Sequence, residues 1–169
     1  MHYPVEKGII VDFDHMEKMW DYIFEKELNI DPKNMDILLT DSPMNTKENK
    51  QKIAHLFFEK YKVESLAIIN TSVLSLFSTG KTSGIVVECG EGVSCTVPVF
   101  EGYALPHAIH ENDIAGQEIT NELIRQLKHD SFDISDEFSE YIREMKEQMC
   151  SVALDYDHSV HSPDPLSDE

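Results

Sequence analysis

Apolar positions recur along this chain with two different periods, and the changes from one to the other mark its elements. Met16, Met19, Trp20, Ile23, Phe24 and Leu28 fall three and four apart, which places them on one helical face. Asp14 with Glu17 three residues on predicts the N-terminal cap of that helix. The run Asp36–Thr40, DILLT, is short, apolar and closed by Asp41-Ser42-Pro43, so it predicts a buried strand. Asn45 with Glu48 repeats the capping pattern ahead of a second amphipathic helix carrying Ile53, Leu56, Phe57 and Tyr61. Leu66–Ile69 predicts a second buried strand, and residues 71–79 a short helix that Gly80 ends in the left-handed conformation. Helix and strand alternate, so this part reads as an α/β layer with a mainly parallel sheet. Residues 2–12 hold a Pro and a Gly around a short apolar run and read as an extended arm.

From Gly80 to Ile109 the period shortens to two, and the reading becomes two strands joined by the turn Cys89-Gly90-Glu91-Gly92, with a third run ending at Pro106. Ala115-Gly116 then opens a helix with Ile119, Leu123 and Leu127. Ser135 opens another with Phe138, Tyr141, Ile142, Met145, Met149 and Val152, and both stripes read as core. From His158 the chain is polar, Pro-containing and acidic, which predicts a disordered tail over 158–169. The chain has no internal repeat.

At 169 residues the chain makes one large domain or two small lobes, enough to bury roughly 70% of its unfolded surface. Its formal charge of −18, from 14 basic and 32 acidic residues, opposes phosphate backbones and anionic membranes. We therefore expect no nucleic-acid or membrane partner, and expect basic protein surfaces instead. Cys89, Cys95 and Cys150 are odd in number and form no C-x-x-C pair, which suits free thiols in a reducing compartment. MHYPVEKGII lacks the basic start and apolar run of a secretion signal, so a cytoplasmic location is expected.

The chemistry concentrates at the Cys89–Gly92 turn. Gly90 and Gly92 suit positive φ, and a row of turn amides can cradle a phosphate if Glu88 and Glu91 are screened or bridged by a metal ion. An ordinary hairpin turn is the competing reading. Cys89, Cys95 and His107 could be imagined around a metal, but isolated hairpin thiols serve more often as small core residues, and we expect no metal site. No Ser/His/Asp ordering stands out, and Trp20 sits on a core stripe.

In order and at near-constant spacing, the segments YPVEKGIIVDFDHMEKMWDYIFEKEL, LLTDSPMNTKENKQKI, SVLSLFSTGKTSGIVVECGEGV, VPVFEGYALPHAI, IAGQEIT and REMKEQMCSVALD are similar to consecutive segments of actin and the actin-related proteins, over about residues 3–157. The resemblance implies a partial actin-like, ribonuclease-H-like α/β fold. Residues 1–80 would form the second half of the first lobe and 81–157 the first part of the second, with Thr71–Gly80 as the short helix joining them. It also implies that the family's first phosphate hairpin would precede Met1 and much of the base-binding wall would follow Glu169, leaving at most half a pocket in a truncated relative.

Within that half, the resemblance makes Glu88, Gly90, Glu91, Gly92, Gly116, Arg143, Lys146 and Glu147 the degenerate nucleotide-binding residues. Glu88 stands where the family has the Asp that holds water on the nucleotide's divalent ion, and Glu91 replaces another Asp. A longer side chain shifts each carboxylate by one methylene, and Mg²⁺ tolerates little drift. Turn-forming glycines and a solvated helix face account for the same residues without a ligand. Where the family has the Gln and His that position the attacking water, this chain has Thr71 and Cys95. Thr is too short to reach a γ-phosphate, and a thiol of ordinary pKa neither accepts comparably nor relays a proton near neutrality. Asn70 is one residue out of register. Phe77, Gly80, Thr82 and Tyr103 match part of the family's partner groove.

These implications lead to the expectation of a catalytically inactive structural or protein-interaction module of cytoskeletal type, with no catalytic residue and no cofactor. It would pair with a protein partner or with itself through bare sheet edges. The alternatives are a protein that still binds ATP with Mg²⁺ through the second phosphate loop, and a decayed product with no role.

Overall fold

A computed structural model describes residues 3–130, 132, 134–135 and 138–156. The chain divides into two compact units, residues 1–118 and 119–169, and each is taken by itself. The tail expected over 158–169 lies outside the described residues.

The first unit opens with a minimal hairpin, β1 (Val5–Glu6) against β2 (Ile9–Ile10), where an extended arm was expected. Lys7 and Gly8 both have positive φ, 48° and 77°, the signature of a two-residue turn whose twist matches paired strands. The returning chain brings the Val11 and Asp12 amides onto the Pro4 carbonyl, at 2.9 and 3.2 Å. Helix α1 (Phe13–Tyr22) therefore starts earlier than its sequence pattern suggests: Asp12, not Asp14, is the cap, and its carboxylate accepts from the His15 amide at 3.0 Å. A π-helical turn, Ile23–Glu27, continues it.

β3 (Asp36–Asp41) and β4 (Ser65–Asn70) pair in parallel, joined through α2 (Lys47–Glu59). Thr46 caps α2, accepting from the Asn49 amide at 3.2 Å, because the side chain of the expected cap, Asn45, donates to Asp41 instead. Ile37, Leu39, Leu66 and Ile68 line one face of the pair and pack on a core of Trp20, Phe24, Ile53, Phe57, Tyr61 and Val63. Phe57 is fully buried, with the Trp20 ring edge-on at 5.0 Å and that of Tyr61 at 5.3 Å. On the opposite face Leu38 stays exposed, although parallel sheets are normally covered on both sides. The rim of this core is ionic. Lys60 Nζ donates to Glu17 at 2.7 Å and to Asp21 at 2.6 Å, and the Tyr61 hydroxyl donates to Asp21 at 2.9 Å. Burial works to raise the Asp21 pKa, but the hydrogen bonds from Lys60 and Tyr61 outweigh it and hold the carboxyl below its ordinary value.

β4 runs directly into α3 (Thr71–Ser78), with Asn70 as the cap; its carboxamide oxygen accepts from the Ser72 amide at 2.8 Å. Gly80 ends the helix in the left-handed region, as the sequence predicts, at φ 77°. An antiparallel sheet follows, made of β5 (Gly84–Cys89), β6 (Ser94–Phe100), β7 (Tyr103–Ala104) and β8 (His110–Asn112). Along β6 every second residue is buried: Cys95, Val97 and Val99 face Val73 and Leu76 of α3. The two strands expected in the α/β part, β3 and β4, do pair in parallel, and the hairpin after Gly80 forms its own antiparallel sheet.

Helix α4 (Gly116–His129) carries the chain from the first unit into the second, which adds α5 (Ser139–Met149). α5 begins after Phe138 rather than at Ser135, whose carbonyl accepts from the Phe138 amide. The expected core stripes are only partly realised. Thr120 and Ile142 are buried, whereas Ile119, Phe138, Tyr141, Met149 and Val152 stand more than half exposed. A unit of about fifty residues has little interior to offer so many large side chains.

Replacing Phe57 with Ala removes a fully buried ring from the centre of the first core. Chemical denaturation should show a loss of about 3–5 kcal/mol, and a loss below about 1 kcal/mol would show that Phe57 is not the centre of that core.

Candidate functional site

The β5–β6 turn is held by backbone. Gly90 donates its amide to the Val93 carbonyl at 3.0 Å, closing the turn on itself. Gly116 then donates to the Gly90 carbonyl at 3.0 Å and Gln117 to the Glu91 carbonyl at 2.8 Å, so the turn sits against the first residues of α4. The glycines serve close approach rather than handedness: positive φ among described glycines occurs at Gly8, Gly80 and Gly102, not at Gly90 or Gly92 as expected. A Cβ on Gly116 would lie 2.6 Å from Glu91 Oε2 and 3.4 Å from the Gly90 oxygen, and one on Gly92 would lie 3.4 Å from Lys7 Cα.

Beneath the turn lie three side chains that the sequence places far apart. Glu88 and Cys95 are direct cross-strand partners in the β5–β6 register, and Thr71 is the first residue of α3. The Thr71 hydroxyl donates to Glu88 Oε2 at 3.3 Å, and the Cys95 thiol donates to the same oxygen at 3.6 Å. Burial first, then the facing Glu88 charge, pushes the Cys95 thiol up to about 11, so it stays protonated across the physiological range. Asn70 is committed to capping α3.

The local field is acidic. Glu88, Glu91, Glu111, Asp113 and Glu118 belong to this region, and Lys7, beside Gly92, is paired to Asp113 at 2.5 Å. Sequence reasoning passed over Lys7; the left-handed Lys7-Gly8 turn that delivers it was the available signal. Here the amides of Gly90, Gly116 and Gln117 donate to protein carbonyls, and one oxygen of Glu88, Oε2, accepts from both Thr71 and Cys95.

Thus Glu88, Gly90, Glu91, Gly92 and Gly116 are brought together in the first unit. Arg143, Lys146 and Glu147 lie on α5 in the second unit, where Arg143 pairs with Glu140 and Lys146 Nζ donates to Thr120 Oγ1 at 3.0 Å. Cys89 and Cys95 occupy opposite faces of the sheet, Cys89 exposed and Cys95 buried, and His107 is exposed on a 3₁₀ turn, Pro106–Ala108. No group of three or more metal-ligating side chains occurs among the described residues.

Of the four groove residues, Phe77, Thr82 and Tyr103 meet at the β6–β7 turn, while Gly80 faces open space. Glu101 and Gly102, at φ 49° and 80°, make a tight two-residue turn, and Gly102 donates to the Thr82 carbonyl at 2.7 Å. Phe77 lies against Gly102, where an added Cβ would come within 2.9 Å of its ring. Gly80 ends the same helix, Tyr103 opens β7, and Phe77 and Tyr103 are 45% and 68% exposed.

Compared with known protein families, the chain matches the family model described as Actin over residues 1–162.

Because Cys95 is buried and its thiol strongly held, the three cysteines should react unequally. At pH 8, iodoacetamide should modify the exposed Cys89 and Cys150 readily and Cys95 slowly, as read by peptide mass mapping. The raised pKa also stabilises the fold below pH about 9, and that contribution disappears as pH rises through about 11. Equal labelling of all three at pH 8 would contradict the arrangement.

Proposed function

The chain belongs to the actin family, and from that premise we propose that it is a catalytically inert member, working as a structural or protein-interaction module of cytoskeletal type in the cytoplasm. The observation that carries this reading is the Thr71–Glu88–Cys95 cluster. Hydrolysis in this fold needs an acid left free to organise the ion's water and a second group to hold and deprotonate the attacking one. Thr71 spends its hydroxyl on Glu88, and Cys95, protonated up to about pH 11, can neither accept a proton nor pass one on near neutrality. A carboxylate held by a hydroxyl and a thiol is a stable structural device that requires no ligand.

A role in binding is supported by what the first unit leaves uncovered. Phe77 and Tyr103 at the groove, Leu38 on β3, and Ile85 and Val87 on β5 are large apolar side chains exposed on regular structure. The charge of −18 favours partners with basic surfaces over nucleic acid or anionic lipid. No described helix is long and apolar enough to cross a membrane.

A nucleotide-holding role for Gly90–Gly92, Gly116, Lys146 and Glu147 is the competing proposal, and one titration separates the two. With ATP and Mg²⁺ at millimolar excess the melting temperature should not move. Occupancy at a hundred times Kd stabilises by about 2.7 kcal/mol, which raises the melting temperature of a chain this size by about 5–10 °C. A rise of that size, abolished by EDTA, would replace the inert reading with the binding one.

A further inference from the structure

Helix α1, away from the β5–β6 turn, brings together two side chains whose chemistry lies outside the interaction-module reading. His15 and Met19 stand four residues apart on α1, which sets them one above the other on one face with Cβ atoms about 6 Å apart. Methionine side chains on a helix lean toward its N-terminus, so the Met19 thioether is carried back over the turn that holds His15. Both line one recess of about 270 Å³, together with Pro4, Lys18, Tyr22 and Ile23. Every one of these residues lies within 4–23, so the pair is set by α1 and the β1–β2 return alone.

The imidazole is oriented as well as placed. Asp12 caps α1 through Oδ1, which accepts from the His15 amide at 3.0 Å, and its Oδ2 accepts from His15 Nδ1 at 2.8 Å. One carboxylate thus fixes both the helix start and the ring. With the Nδ1 proton on Asp12, the neutral ring carries its basic lone pair on Nε2. A ring N–H given to a carboxylate is the usual backing of a metal-binding histidine, because it fixes the tautomer and raises the basicity of the other nitrogen.

The donor types select the ion. A neutral thioether is a poor ligand for calcium or magnesium, which take oxygens, and zinc asks for four donors drawn from thiolate, imidazole and carboxylate. Imidazole with thioether suits copper(I), a soft ion of single charge that accepts few ligands. Lys18 in the same recess opposes a cation, and the Asp12 carboxylate behind the imidazole offsets it.

We propose that His15 and Met19 form a copper(I) site, with Nε2 and Sδ as the ligands and Asp12 as the residue that holds the ring for them.

The test uses the full chain carrying Cys89→Ser and Cys150→Ser, which removes the exposed thiols that would compete for a soft ion. Silver(I), a redox-inert ion with the ligand preferences of copper(I), is the probe, and NMR of isotope-labelled methionine methyls and histidine rings is the readout. One equivalent of silver nitrate should shift the Met19 methyl and the His15 ring together and leave the other methionines unmoved, copper(I) supplied in acetonitrile should displace the silver, and zinc chloride should shift neither signal. Met19→Leu keeps the apolar bulk without the sulfur and His15→Gln removes the imidazole; each should abolish the coupled shift while the melting temperature of the metal-free protein stays in place. Asp12→Asn keeps a capping acceptor but loses the carboxylate, and should weaken silver binding by about tenfold. An unmoved Met19 methyl at one equivalent, a shift shared among the methionines, an equal response to zinc, or undiminished binding by Met19→Leu would each overturn the proposal.

Discussion

Two backbone hydrogen bonds, Gly116 to Gly90 and Gln117 to Glu91, are the constraint on which the functional part of this molecule depends. They seat the β5–β6 turn against the start of α4, where a Cβ at position 116 would stand 3.4 Å from the Gly90 carbonyl oxygen and from Glu91 Cα and would displace the Glu91 carboxylate. The same bonds use helix-terminal donors that would otherwise be open to an anion.

What lies under the turn follows from strand register. Glu88 and Cys95 oppose each other across β5 and β6, and α3 delivers Thr71 to the same carboxylate. An acid surrounded by other acids needs donors, and it finds a hydroxyl and a thiol. Burial is the larger cause of the raised Cys95 pKa, and the Glu88 carboxylate adds to it by favouring the protonated thiol that donates to it. The rim of the first core solves the same problem differently, by placing Lys60 and the Tyr61 hydroxyl on Asp21.

Much of this was legible in the residues. The strands β3 and β4, helix α3 with its left-handed Gly80, and the alternation along β6 follow from periodicity and breaker chemistry, which act locally. Caps were misplaced where a tertiary contact intervened: the β1–β2 return moved the start of α1 back to Asp12, and Asp41 drew the Asn45 side chain away from α2. Gly90 and Gly92 looked like positive-φ residues because spacing alone cannot separate handedness from close approach, and the neighbours they approach are the Val93 carbonyl for Gly90 and, for Gly92, the Lys7 backbone more than eighty residues away. The stripes of α4 and α5 looked like core because amphipathicity predicts which face seeks burial, not whether a partner surface exists to cover it. The resemblance to actin placed Thr71, Glu88 and Cys95 one by one. Their meeting on a single oxygen required the register.

The central claim is that this carboxylate is committed to the protein and that its neighbours cannot activate water. Release of labelled phosphate from γ-labelled ATP in the presence of Mg²⁺, followed to many turnover times of an ordinary actin, tests that claim most directly. The account predicts phosphate release no faster than buffer alone; magnesium-dependent turnover that survives mutation of unrelated surface residues and is lost in Glu88→Gln would contradict it.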